Sequence, residues 1–185
     1  MSIKPGLYEI SWVPMHIQPP FISGQYATGG NINAPLRTEA MRPGSSSQKA
    51  RFDCIEPVKG KRDIYTISNP TLPEGTGISR TSGGIVLAGW GIENDRGGPT
   101  EPVTLSVDMT QWSITPTDPA NNVFCISLPF NEIVQITRAV TEQNNQASLV
   151  YVQLLLCVQP FVTEPMAQTQ MMQALPQWQF VPVAQ

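Results

Sequence analysis

Charge is scarce in this sequence. Only 14 % of its 185 residues are Asp, Glu, Lys or Arg, against roughly 25 % in an average soluble domain. The net charge is −3 and no stretch concentrates the cations, which argues against a phosphate-tracking surface and a nucleic-acid partner. Lysine occurs only at Lys4, Lys49, Lys59 and Lys61, and no segment strings together the Ala, Glu, Lys and Leu of a long surface helix. Histidine is limited to His16, which excludes multi-histidine metal sites and leaves one candidate base for any triad. Cys54, Cys125 and Cys157 lie far apart without a CxxC. Flanked by apolar residues, they read as buried free thiols rather than as zinc ligands or a disulfide. No apolar segment follows Lys4 and Pro5, so no signal peptide is expected. The longest apolar run, Leu154-Leu155-Leu156-Cys157-Val158, is too short to cross a bilayer. No Asn-x-Ser/Thr acceptor (x not Pro) occurs, which fits a chain that does not meet the glycosylation machinery. A soluble, reduced, cytoplasmic protein with no membrane partner is the expectation.

What is present is turn formers and short apolar stretches. There are 14 glycines and 18 prolines, and hydrophobic residues make up 41 % of the chain, a balance that indicates an all-β domain with many turns. Two patterns recur in order. One is aromatic-x-Ile: Tyr8-Glu9-Ile10, Tyr65-Thr66-Ile67 and Phe124-Cys125-Ile126. The other closes each unit: Phe52-Asp53-Cys54-Ile55-Glu56-Pro57, Trp112-Ser113-Ile114-Thr115-Pro116 and Trp178-Gln179-Phe180-Val181-Pro182. The spacing in both series is about 60 residues, and a fixed period is evidence of internal symmetry. The units run approximately over 5–60, 61–119 and 120–185 of one domain spanning 1–185.

Each unit has room for two more strands. Candidates are Gly24–Thr28 and Leu36–Ala40, then Gly84–Ala88 and Pro102–Val107, then Glu132–Thr137 and Ser148–Leu154. Three units of four strands predict a β-trefoil: twelve short strands in three pseudo-threefold repeats, closed so that few edges are exposed. The repeated aromatics Tyr8, Tyr65, Phe124, Phe52, Trp112 and Trp178 are expected in the core of such a barrel.

Several local motifs point to a family. They are Gly6-Leu7-Tyr8, the loop Pro19-Pro20-Phe21-Ile22-Ser23-Gly24, then Gln25-Tyr26-Ala27-Thr28 and Ala34-Pro35-Leu36-Arg37-Thr38-Glu39-Ala40. Tyr65-Thr66-Ile67, Leu149-Val150-Tyr151 and Pro176-Gln177-Trp178-Gln179-Phe180 continue the series. With these, the sequence resembles the mycocypins, the mushroom β-trefoil inhibitors of papain-like cysteine proteases, over nearly its whole length. The resemblance implies inhibition by loops that plug the protease cleft, a protease as partner, no cofactor and no enzymatic activity. It places a first loop at residues 14–24, with Pro19, Pro20, Phe21, Ile22, Ser23 and Gly24 at its tip. A second is Met41-Arg42-Pro43-Gly44-Ser45-Ser46-Ser47, and a third is Ser68–Gly77, where Asn69 and Pro70 stand near the family's legumain-binding Asn. The mechanism is steric: a papain-like thiolate needs a substrate carbonyl held in line. Prolines stiffen a loop before it docks, and Gly24 permits close backbone approach. Phe21 and Ile22 are apolar residues among turn formers, suited either to a partner's surface or to anchoring the loop inward.

The sequence also departs from that family. Ile22-Ser23-Gly24 stands where the family carries consecutive glycines, and Pro70 after Asn69 removes an N–H and alters a substrate-like pose. Much of the excess length falls in Pro160–Pro176, where Met166, Ala167, Gln170, Met171, Ala174 and Leu175 fit one face of a two-turn helix. A serine-protease inhibitor is the nearest alternative, with Arg80 as the trypsin anchor, because Arg42 is followed by Pro43. An aspartic protease is a further target class for which no residue argues. A carbohydrate-binding lectin is the second alternative, although Gln111-Trp112 and Gln177-Trp178 lack the Gln-x-Trp spacing of ricin-type repeats. Glu9, Glu39, Asp53 and Glu56 read as solvent-facing carboxylates rather than a catalytic pair, and His16 reads as a surface or interface residue. A monomer is expected.

Overall fold

Alternation of apolar and polar residues with a period of two builds the strands, because successive side chains of a strand leave opposite faces. A computed structural model describes residues 2–14, 25–40, 52–69, 87–92, 100–129, 137–143, 149–155 and 175–183. Twelve strands lie in these segments: β1 Gly6–Val13, β2 Gln25–Thr28, β3 Arg37–Ala40, β4 Phe52–Pro57, β5 Ile64–Asn69 and β6 Ala88–Ile92. They continue with β7 Thr100–Ser106, β8 Trp112–Asp118, β9 Val123–Ser127, β10 Thr137–Gln143, β11 Leu149–Leu155 and β12 Gln177–Pro182. The fold is all-β. No helix among the described residues is long and apolar enough to cross a membrane.

Six strands close on themselves in the order β1, β4, β5, β8, β9, β12 and back to β1, every pairing antiparallel. The other six form hairpins β2–β3, β6–β7 and β10–β11, attached through β2 to β1, β6 to β5 and β10 to β9. The β-trefoil expectation is therefore corrected: the architecture is a closed six-stranded antiparallel barrel with additional strands. The added strands are joined unequally. β11 pairs with β7 over three residue pairs and with β3 over one. No ladder joins β3 to β7 among the described residues. There the turn after β2 binds β7 instead, through Asn33 N to Leu105 O, Leu36 N to Val103 O and the bridge Pro35–Thr104.

The barrel interior is filled by the residues that alternation points inward: Tyr8, Ile10 and Trp12 of β1, Ile55 of β4, Tyr65 and Ile67 of β5, and Trp112 and Ile114 of β8. Phe124 and Ile126 of β9 and Trp178 and Phe180 of β12 complete it. Each fully buried Ile or Phe is worth roughly 1.5–3 kcal/mol of transfer free energy. Edge-to-face contacts order the rings, with Phe124–Phe180 at 5.1 Å and Trp12–Trp178 at 5.2 Å between centroids. Of the aromatics expected in the core, Tyr8, Tyr65, Phe124, Trp112 and Trp178 are buried there. The side chain of Phe52 lies outside the described residues. Cys125 is buried and Cys54 half-buried, and neither is in a disulfide.

Two strands sit away from their expected places. β6 is Ala88–Ile92 rather than Gly84–Ala88, and β10 begins at Thr137, where the expected strand ends. β6 was hidden by its glycines. A Cβ on Gly89 would come within 2.2 Å of Ile67 O and 2.6 Å of Met109 Sδ, and one on Gly91 within 2.9 Å of Asp108 O. The segment after β7 crosses β6 too closely for side chains. The helix expected within Pro160–Pro176 lies outside the described residues.

Candidate functional site

Strand pairing fixes where the candidate loops are rooted. The first, 14–24, leaves β1 and enters β2 at Gln25, and the second leaves β3 at Ala40. Gln25 and Ala40 are register partners in the β2–β3 hairpin. Antiparallel partners lie about 5 Å apart, so the two stretches are rooted side by side. The second stretch rejoins the barrel at Phe52, opposite Glu9 of β1. The third leaves β5 at Asn69 and returns to β6 at Ala88, and these two residues are again partners.

Among the residues expected to touch a protease, only Asn69 is described. It is the last residue of β5 and 2 % exposed. Its amide faces Gly29 and Leu105: a Cβ on Gly29 would stand 3.5 Å from Asn69 Nδ2 and from the Leu105 methyls. In this conformation Asn69 is a buried strand residue rather than a loop side chain offered to a pocket. Pro19, Pro20, Phe21, Ile22, Ser23, Gly24, Met41, Arg42, Pro43, Gly44, Pro70 and the alternative anchor Arg80 lie outside the described residues, as does His16.

Beneath these roots is a polar contact that the sequence reading did not find. Asp53 of β4 is 2 % exposed, not the solvent-facing carboxylate expected. Its Oδ1 accepts a hydrogen bond from Trp90 Nε1 at 3.1 Å. β4 and β6 lie on opposite edges of β5, so this bond passes over that strand. Burial pushes the Asp53 carboxyl well above the ordinary aspartate range, and the indole N–H offsets part of the rise. Burial also raises the Cys54 thiol, with Glu56 next and Asp53 adding to it, against a hydrogen bond with Ser68.

Trp90 connects further. Its carbonyl accepts Thr110 N at 3.0 Å and Trp112 Nε1 at 3.2 Å. Its ring stands edge-on to Trp178 at 6.1 Å, and Trp178 Nε1 donates to Val140 O at 2.9 Å. A signal for the inward Asp53 was available: it lies two residues before the inward Ile55, hence on the same face. Trp90 had no such signal, because Gly89 and Gly91 gave its strand the look of a turn.

The far end of β4 and β5 is different. The turn between them passes through Gly60 and Asp63 at positive φ (78° and 55°). A cavity of about 450 Å³ opens there, lined by Ser2, Arg62, Asp63, Tyr65, Ile114, Thr115 and Pro116. Arg62 Nε and Asp63 Oδ2 are 3.4 Å apart on the exposed rim. Tyr65 OH donates to Ile3 O at 3.5 Å, and Tyr8 OH to Lys4 O at 2.8 Å, so both phenols tie down the N-terminal segment rather than face a ligand. No group of three or more His, Cys, Asp or Glu among the described residues is placed to hold a metal. The chain matches no protein-family model and has no significant match to a curated protein.

Proposed function

We propose that this protein inhibits papain-like cysteine proteases by laying the stretches 14–24 and 41–47 across the active-site cleft. The observation that carries the reading is the pairing of Gln25 with Ala40, which roots both stretches at one end of a hairpin attached to the closed barrel. A ladder-bonded scaffold does not have to be ordered when a partner docks, and Pro19, Pro20 and Pro43 restrict the stretches it carries. The mycocypin-like motifs on either side of these stretches point the same way. Asn69 has no part in this reading, because its side chain is buried.

The test is a titration of papain and trypsin with the purified protein, alongside Ser23→Trp and Arg80→Glu variants. The expected result is stoichiometric loss of papain activity, weakened at least tenfold by Ser23→Trp and unchanged by Arg80→Glu. Trypsin inhibition abolished by Arg80→Glu moves the function to serine proteases and overturns the papain reading. Full activity of papain at excess protein also overturns it.

A further inference from the structure

We propose that Asp53 and Trp90 form a protonation-operated latch, which fastens β4 to β6 across β5 while the carboxyl is neutral and opens when its proton leaves. The proposal stands independently of the inhibitor reading. Asp53 is enclosed by the barrel wall at 2 % exposure, and its one polar contact among the described residues is the Trp90 indole N–H. A single hydrogen bond does not replace the hydration of a carboxylate, so the ionised form needs either a cation or water.

The neighbouring strands supply no cation. β1 brings Tyr8, the register partner of Asp53, and Glu9. β5 contributes Tyr65 as its one titratable residue, β6 has none, and β4 itself adds Cys54 and Glu56. All of these are neutral or anionic. With no cation among these described residues, hydrating the carboxylate would draw water between the strand ends around Asp53 and part them. Trp90 moves with them, and its bonds to Thr110 and Trp112 carry the disturbance into β8.

Burial holds the proton on folded Asp53 to higher pH than in the unfolded chain, where an aspartate titrates near 3.9. The folded state then binds more protons across the interval between the two values. Stability from this group is complete below the unfolded value and falls as pH rises through the folded one. Asp53→Asn keeps an oxygen to accept from Trp90 Nε1 and cannot ionise.

Two measurements test the latch. In the wild-type protein, the carboxyl carbons of the five aspartates are followed by ¹³C NMR from pH 3 to 9. The Asp53 signal, identified by its loss in Asp53→Asn or by sequential assignment, is expected to stay protonated to clearly higher pH than an aspartate of the unfolded chain. In parallel, chemical unfolding of wild type and Asp53→Asn is compared across the same range. The wild-type unfolding constant is expected to rise relative to the variant by up to about tenfold per pH unit within the interval. An Asp53 signal that titrates no higher than an aspartate of the unfolded chain overturns the latch, and so does a stability difference that is constant with pH. Should Asp53→Asn fail to fold, the wild-type titration decides alone.

Discussion

The two ends of the β4–β5 pair solve one problem, the pairing of polar groups next to an aromatic core, in opposite ways. At the turn end, Tyr8 and Tyr65 reach out of the core to backbone carbonyls of the N-terminal segment. An exposed ion pair sits on the rim beside them. At the loop-bearing end, Trp90, Trp112 and Trp178 donate to acceptors that are themselves enclosed: Asp53, Trp90 O and Val140 O. At the first end the acceptor of Tyr8 belongs to the exposed Lys4, where water can replace a lost partner, whereas the acceptors of the second end are enclosed. Large effects of polar mutations, and the pH sensitivity that follows from the raised Asp53 carboxyl, are accordingly expected at the tryptophan end. Burial raises both Tyr8 and Tyr65, with Tyr65 and Asp63 respectively adding to the rise. The turn end therefore loses stability to their ionisation only above pH 10.

The contrast is sharpened first by Trp178→Ala, which empties the centre of the tryptophan cluster and frees Val140 O. A loss of about 3–5 kcal/mol is expected in urea unfolding. Next comes Trp90→Phe, which preserves most of the ring but removes the only hydrogen bond described for Asp53. It is expected to cost about 1–3 kcal/mol in the same unfolding measurement. The smallest effect belongs to Tyr8→Phe, where solvent reaches Lys4 O. Its expected cost is at or below about 1 kcal/mol. A Tyr8→Phe loss equal to that of Trp90→Phe would break the comparison, since it would mean that both ends are equally closed to water.

Much of the barrel wall was legible because a strand's inward face is written in its own residues. Tyr8-Glu9-Ile10, Trp112-Ser113-Ile114 and Trp178-Gln179-Phe180 each alternate, and each lies in a barrel strand with its apolar residues inside. Asp53 was misread although the same alternation carried it inward, because a carboxylate is by default a surface group. β6 was not legible, since the reason for Gly89 and Gly91 lies some twenty residues away on either side, in Ile67 O of β5 and the segment after β7. The β-trefoil expectation failed at the added strands. Periodicity says that a strand exists, but how β11 is shared between β3 and β7 depends on long-range register. The candidate site was legible as loops and prolines alone. Asn69 was assigned to a loop by the family resemblance, yet pairing with Ala88 keeps it in β5.

The sequence by itself determined an all-β chain with short alternating strands, an aromatic core and no concentration of charge, because these follow from composition and nearest-neighbour order. Only the tertiary structure decided which strands close the barrel, that Gln25 and Ala40 root two distant stretches side by side, and that Asp53 is enclosed against Trp90. Those outcomes depend on contacts between residues far apart in the chain, where burial rather than residue type sets the energy of a polar group.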